Sequence, residues 1–457
     1  MEEVVVALAP PGEIERAQAA LREAGVEYCL SAYVDVHGVP KAKAVPIAHF
    51  ARMMDGSELF TGAAIDGLGQ TPADDELSLR PDLGAITVLP WEREVAWAPG
   101  YLHLYGEPYR MCSRTVLKRQ LDRAAQRGYT FNLGIETEFF LVRRDGDAVA
   151  PANPRDVVAR AAYDIAELFE PLPILHELIG YMNELGWNVH SFDHEDANSQ
   201  FEFDFSYADA LAMSDRFTLW RLMTKLVARR HGVQATFMPK PYGNRTGNGG
   251  HFNMSLADVA SGENLFADLD DRRGAGVSQL AYSFIAGVLA HAPAICAVAC
   301  PTVNSYKRLV KSGSMTGFTW APVFISYGRN NRTHMLRVPT GSPRVESRAV
   351  DTSCNPYLAA AMFLAAGLEG IEQGLDPGDP IQLNMYEQSD EQLRELGVST
   401  LPRTLLEAVE ALAADPLADE VLGPELKAAF VELKGREWWD YHNTVSQWEH
   451  ERYLDFF

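Results

Sequence analysis

Residues 133–141 read LGIETEFFL. Period-2 alternation predicts one β-strand, with Glu136 and Glu138 on one face and Ile135, Thr137 and Phe139 on the other. Adjacent carboxylates on an apolar strand repel each other. They are tolerated where the face is solvated or where they share a cation. For an isolated Glu-x-Glu the solvated face is the plainer reading, so the meaning of this stretch depends on what else the chain carries.

It carries four further constellations. DHEDANSQFEFDF, residues 193–205, places Phe201, Phe203 and Phe205 on one strand face and Glu202 and Asp204 on the other, with Glu195 upstream across a turn-like DANS. FMPKPYGNRTGNGGHFNMS, residues 237–255, is stiffened by Pro239 and Pro241. Its glycines Gly243, Gly247, Gly249 and Gly250 let backbone approach a ligand, and His251 opens the next segment. The spacing fits neither common phosphate-loop motif, and a purely structural turn is the alternative. NSYKRLV (304–310) and RNNRTHMLRVPTGSPRVESR (329–348) follow, with Arg344, Glu346 and Arg348 alternating on one face. Between residues 304 and 348 stand eight Lys and Arg against one acid, Glu346. Guanidinium groups bind phosphate and carboxylate in a bidentate manner, although a solvated basic face is the simpler account. Together, Glu136, Glu138, Glu195, Glu202, His251 and Glu346 form an oxygen-rich ligand set with one imidazole, suited to Mg²⁺ or Mn²⁺ rather than zinc. A divalent metal, arginines and a glycine loop are the parts needed for ATP chemistry on an anionic substrate.

The whole chain sets limits around this centre. Its 457 residues predict at least two domains and a large core. Apolar residues make up 47% and charged residues 22%, the balance of a globular protein rather than a disordered or fibrous one. The net charge of −22 argues against non-specific nucleic-acid binding and against docking on anionic lipid. Five cysteines without a C-x-x-C pair suit a reducing compartment, with Cys296 and Cys300 as buried helix thiols. The N-terminal MEEVVVALAPPGE has no basic segment or sustained apolar core, so no secretory leader is expected. The apolar run Leu280 to Cys300 contains Ser283, His291 and Pro293 and predicts a buried helix with a break. A cytoplasmic location, with no membrane and no nucleic-acid partner, is the resulting expectation.

The first ~105 residues read as a small mixed unit, ending near the linker Gly106-Glu107-Pro108. It has a helix over 13–24 and strands over 28–35 and 41–46 around His37-Gly38. Ser113 is placed to cap a helix that runs to Arg127 and stops at Gly128. Strands and helices then interleave to about residue 365, and Thr404 to Phe457 is mainly helical with breaks at Pro416 and Pro424. The predicted class is α+β, with helices outside a substantial sheet.

The ordered set ETEFFL, HEDANSQFE, FMPKP…GNGGH, NSYKRL, NNRTHMLRVP, RVESR and NPYL resembles the glutamine synthetase family. The likeness covers roughly residues 108–365 and is nearest to the type III-like glutamine synthetase and γ-glutamylmethylamide synthetase branch. It implies an N-terminal β-grasp domain (1–107) and a catalytic domain (108–457) with a large antiparallel sheet and surrounding helices. It implies a reaction in which ATP phosphorylates the γ-carboxylate of L-glutamate and an amine displaces the phosphate. Two to three divalent ions per site are implied. Glu138, Glu195 and Glu202 match the ligands of one ion; Glu136, His251 and Glu346 match those of a second. Gly247, Arg308 and Arg348 match positions that hold glutamate, and Arg332, Arg337 and Arg344 match positions facing phosphate. Arg332, Glu136 and Arg348 form the implied catalytic set, and Ser255 and Asn253 fall near the nucleoside. The resemblance further implies a homododecamer of two hexameric rings with active sites shared between protomers.

Departures bear on the amine. Thr61 stands where ammonia-using members carry an Asp, and Trp320, on the flap Ser314 to Pro322, falls about where they carry a Glu. Asp75 or Glu76 remains as a possible acid contributed by a neighbouring protomer. A less acidic, partly aromatic pocket suits a short alkylamine such as methylamine; ammonia or a larger amine is the alternative. Asn253 replaces a His found in many members. Tyr386 sits where some bacterial members carry a nucleotidylated tyrosine, against the plainer reading of a surface-loop Tyr. A guanidino-phosphotransferase, which shares the catalytic fold, would lack the ETEFFL and HEDANSQFE ligand set, and an inactive relative would have lost a ligand.

Overall fold

Strand pairing sorts the chain into three sheets in the computed structural model, which describes residues 11–146, 148–313, 317 and 319–457. The N-terminal leader reading and part of the flap reading fall on residues outside these. The first sheet is built from strands between Tyr28 and Pro108. Tyr28–Val34 turns back onto Pro40–Pro46 and lies parallel to the first part of the long strand Glu92–Leu104. The later part of that strand pairs with Leu77–Pro81, which pairs in turn with Glu58–Phe60.

The second sheet has seven strands. Tyr129–Ile135 lies between Ala208–Asp209 and Phe252–Asp258. Beyond these come Val345–Ser347, His334–Val338, Phe324–Arg329 and Ser399–Thr400. Every pairing is antiparallel except that of Phe324–Arg329 with His334–Val338. The third sheet has Thr137–Asp145 at its centre, flanked by Gln200–Phe205 and Ala148–Pro151, with Val189–His194 outside Gln200–Phe205.

The stretch 133–141 is therefore not one strand. It leaves the second sheet at Ile135 and enters the third at Thr137, with Glu136 at the corner, where its N–H donates to the carbonyl of His251 at 3.1 Å. The inward–outward alternation survives the corner. Alternation reports the local pleat and is blind to which sheet each half joins.

The helix Pro356–Glu372 is buried on nearly every side, packed against Gln279–Ala290 and Ser113–Gln126, which is why its sequence is apolar all round. The apolar run 280–300 is two buried helices, Gln279–Ala290 and Ala292–Ala299, bent by 77° at His291, as its Pro and His predict. No single helix among the described residues is long and apolar enough to cross a membrane. All five cysteines are free and buried. The helix expected from Ser113 forms, but Ser113 does not cap it. Its hydroxyl instead accepts from Asn355 Nδ2 at 2.8 Å, and that same amide donates to the carbonyl of Asp35 at 2.8 Å. This contact seats the first sheet against the long buried helix, together with Arg221 Nη2, which donates to the Gly38 carbonyl at 2.6 Å.

Candidate active site

The register of the second and third sheets builds the site. Glu138 lies directly opposite Glu202 across the Thr137–Asp145 and Gln200–Phe205 pairing. Like charges in that position destabilise a ladder unless something neutralises them. In the second sheet, Asn253 is opposite Glu346, and Glu346 is opposite Arg337. Two sets of facing side chains thus meet at the corner held by Glu136.

They enclose a cavity of about 700 Å³ lined by Glu136, Glu138, Glu195, Glu202 and His251 together with Arg308, Arg332, Arg337, Arg344 and Arg348. His251 Nδ1 is 2.6 Å from Glu136 Oε2 and 3.8 Å from Glu346 Oε1, and its Nε2 is 3.8 Å from Glu138 Oε1. Glu136, His251 and Glu346 bring ligand atoms within 4.8 Å of one another, as do Glu138, Glu202 and His251. The first group is the set matched to one ion in the sequence. In the second, His251 takes the place expected of Glu195, which lines the same cavity nearby.

Electrostatics point the same way. Burial pushes the Glu138 carboxyl up to about 7. Burial, then the charge of Glu138, pushes Glu195 up to about 8. Burial, then Glu136 and Glu195, pushes Glu202 well above the usual range. Burial, then the charge of Arg348, holds His251 well below its ordinary value, so the ring is neutral and offers a nitrogen lone pair. Converging buried carboxylates and a neutral imidazole fit a hard divalent cation.

The glycine loop is close to its ligands. A Cβ on Gly249 would lie 2.5 Å from His251 Nε2 and 2.7 Å from Glu138 Oε1, so any side chain there would push these two groups out of place. Its N–H donates to Glu138 Oε2 at 2.7 Å. Gln200, which the sequence reading passed over, donates to Glu138 Oε2 at 2.9 Å and to the Gly247 carbonyl at 3.2 Å. The signal was present: Gln200 is two residues before Glu202, on the same strand face.

The arginines are fixed by acceptors of the chain. Arg348 Nη1 is 2.7 Å and Arg337 Nη1 2.5 Å from the fully buried Glu346 carboxylate. Arg308 Nη2 donates to the Arg348 carbonyl at 3.1 Å. Arg308 Nη1, Arg337 Nε and Arg348 Nε are buried donors with no hydrogen-bond partner among the described residues, as expected of groups that await a ligand. Arg332 is exposed at the cavity.

A second lobe of about 500 Å³ shares Glu136, Ser191, Asp204 and Arg344 with the first and adds Asn253, Ser255, Tyr207 and Asn264. Asn253 bridges the lobes: its Nδ2 donates to Glu136 Oε1 at 2.9 Å and its Oδ1 accepts from Arg344 Nε at 2.7 Å. Tyr207 is 66% exposed, a free ring face at a polar lobe of nucleoside size.

The amine-pocket residues divide. Trp320 lines the first cavity, at a left-handed φ of 53°. Tyr163 lines it too, 71% exposed and with φ 65°. No motif marked Tyr163, because it lies in irregular chain. Thr61, Asp75 and Glu76 are not among the residues lining this cavity; Thr61 donates to Glu76 Oε1 at 3.1 Å and Asp75 accepts from Tyr105 at 2.8 Å on the exposed face of the first sheet. The surface-loop reading of Tyr386 is corrected: the residue is half-buried, and its hydroxyl donates to the Ala321 carbonyl at 2.7 Å.

Comparison with known proteins follows the same lines. The family model described as "Glutamine synthetase, catalytic domain" matches residues 110–453. A glutamate–methylamine ligase of Methyloversatilis universalis is 42% identical over 96% of this chain and 99% of its own length. A glutamine synthetase of Rhizobium meliloti is 39% identical over 95% of this chain and 98% of its own. A solved structure of GmaS in complex with ADP superposes with a TM-score of 0.89 at 41% identity, covering 96% of this chain and 99% of that one. A structure of GmaS without ligand gives 0.88 at the same identity.

Proposed function

The chain belongs to the glutamine synthetase family, and we propose that it is an ATP-dependent ligase joining the γ-carboxylate of L-glutamate to a short alkylamine, with methylamine the preferred acceptor. The observation that carries this reading is one cavity lined together by a carboxylate cluster, a glycine of the loop and five arginines.

Glu138, Glu195 and Glu202, and Glu136, His251 and Glu346, are the proposed ligands for two to three Mg²⁺ or Mn²⁺ ions. Such ions, when bound, offset charge on the transferred phosphoryl group and align it with the attacking oxygen. Arg308 and Arg348, with open buried donors, hold the carboxylates of glutamate beside Gly247. Arg332, Arg337 and Arg344 face the phosphates, and Asn253 and Ser255 lie along the nucleoside lobe. The γ-carboxylate oxygen attacks the terminal phosphorus of ATP and ADP leaves. The amine, as its free base, then attacks the acyl carbon of γ-glutamyl phosphate; the carbon–oxygen bond to phosphate breaks, and the proton shed by nitrogen leaves with the phosphate. Phosphorylation is needed because carboxylate oxygen is a poor leaving group, and Arg332, Glu136 and Arg348 are the proposed catalytic set.

Trp320 and Tyr163 support the alkylamine: both rings line the cavity and give a methyl group an apolar wall and a cation a π face. The name of the Methyloversatilis relative supports it as well. We propose the division 1–107 and 108–457, a cytoplasmic enzyme and a homododecamer of two hexameric rings in which Thr61, Asp75 and Glu76 reach a neighbour's cavity. Exposed Trp439, Trp448, Leu454, Phe456 and Phe457 at the C-terminus support burial against further copies. The test is ADP release with glutamate, ATP and Mg²⁺ or Mn²⁺, comparing methylamine with ammonium. Glutamate-dependent ADP with kcat/KM higher for methylamine is expected. A large preference for ammonium would overturn the acceptor; no glutamate-dependent ADP would overturn the ligase.

A further inference from the structure

Trp320 holds a backbone conformation that a large L-residue rarely adopts, with φ 53°, while 40% of its surface stays exposed at the cavity. Such a conformation persists only where its surroundings fix it. Arg348 and Tyr386 both reach the adjoining backbone. Arg348 Nη2 reaches the Trp320 carbonyl at 3.5 Å, and Tyr386 donates its hydroxyl to the next carbonyl, that of Ala321, at 2.7 Å. Of these two, the second is the short, well-formed bond.

Tyr386 is itself tied down. It lies on the single turn Met385–Glu387, whose Met385 is fully buried against Phe324, Leu393 and Val398. Its ring packs on Phe324 with centroids 6.1 Å apart. Asn331 Nδ2 donates to the Leu383 carbonyl at 2.8 Å, and Met385 N–H donates to Thr333 Oγ1 at 3.2 Å. The segment 383–386 therefore runs from the loop that carries Arg332 to the strand of chain that carries Trp320.

We propose that Tyr386 is a positioning residue for amine selectivity, a brace that fixes Trp320 relative to the phosphate-facing loop. The proposal rests on the ligase reading given above. Tyr386 touches no reacting atom. It acts through the carbonyl of Ala321, so the aromatic wall for the amine is set from outside the cavity. A group transferred onto the Tyr386 oxygen would have to break this bond first, which makes the hydroxyl a structural element rather than a free surface handle.

Tyr386→Phe keeps the ring on Phe324 and removes only the donor. Kinetics with saturating ATP and glutamate should show the KM for methylamine raised about fivefold, the KM for glutamate within twofold of the parent, and the methylamine-to-ammonium ratio of kcat/KM lowered. Trp320→Ala should lower the same ratio, and the double variant should add little to it, because both changes remove one wall. An unchanged ratio in Tyr386→Phe, or equal losses with both amines, would overturn the brace. If the parent enzyme itself gives no methylamine-dependent ADP, the ligase reading fails first, so the two failures are distinct.

Discussion

The acidic and the basic walls of one cavity are built on opposite plans. On the acidic side, Glu138 and Glu202 oppose each other across a ladder, and burial and mutual charge raise Glu138, Glu195 and Glu202 together. On the basic side, each fixed guanidinium has an acceptor supplied by the chain: Glu346 for Arg337 and Arg348, Asn253 for Arg344, a backbone carbonyl for Arg308. The acids are left for an outside charge to complete; the arginines are preorganised. Folding energy is thus held back at the proposed cation sites and invested at the proposed substrate-anion sites, which is how electrostatic stabilisation is made ready before a reaction starts.

The largest effect should come from the acidic wall. Glu202→Ala is expected to lower ADP-forming activity by about a thousandfold or more, since it removes a ligand rather than a contact. Its metal-free thermal midpoint should equal or exceed that of the parent, because a repelling charge is gone, while the rise given by Mn²⁺ shrinks. Scanning melts with and without Mn²⁺, beside activity, check this; full activity would contradict the assignment. On the basic wall, Arg348→Lys keeps the charge and loses the fork that reaches Glu346. The expected fall in kcat/KM for glutamate is about a hundredfold, or about 2.7 kcal/mol, read from initial rates across glutamate concentration.

Between the walls stands Asn253, which bridges Glu136 and Arg344. Asn253→Ala should raise the KM for ATP about tenfold, equivalent to roughly 1.4 kcal/mol, with the KM for glutamate within twofold. Equal changes in both would place Asn253 in general support of the fold. The smallest effect is a control outside the cavity. His291 meets Asp415 at 2.8 Å and Glu369 at 2.5 Å, acids whose partner is built into the chain. The hydrogen bond that His291 donates to Asp415 leads in raising its pKa, with Glu369 adding to it. A raised folded-state value means that the stabilisation is full below pH ~6.5, the unfolded value, and is lost as pH rises through the folded one. His291→Asn should therefore cost about 1 kcal/mol at pH 6 and less at pH 9, measured as the difference in thermal midpoint from the parent at each pH.

Much of the cavity was legible in the sequence because three of the proposed ligands, Glu138, Glu202 and Glu346, lie on strands and Glu136 and His251 adjoin strand ends. Alternation puts Glu136 with Glu138, and Glu202 opposite the phenylalanines, whatever the sheets do. The family likeness supplied the grouping of those residues into two ligand sets. What stayed hidden was set by distant chain. The corner at Glu136 depends on a hydrogen bond to His251, and the use of Ser113 depends on Asn355. Tyr163 and Tyr386 are placed by irregular backbone, which carries no period to read. Thr61, Asp75 and Glu76 make exposed contacts and do not line this cavity within one copy.

The corner at Glu136 also orders events in time. The cavity closes only when residues 136 and 348, more than two hundred positions apart, have been joined through two separate sheets. Long-range pairings of this kind form late in folding. Cation binding at the proposed site then becomes a certificate of a finished molecule: a chain with one sheet slipped by a single residue turns its carboxylates outward and loses the site. During refolding, the gain of Mn²⁺ affinity should trail the gain of secondary structure and coincide with the last step.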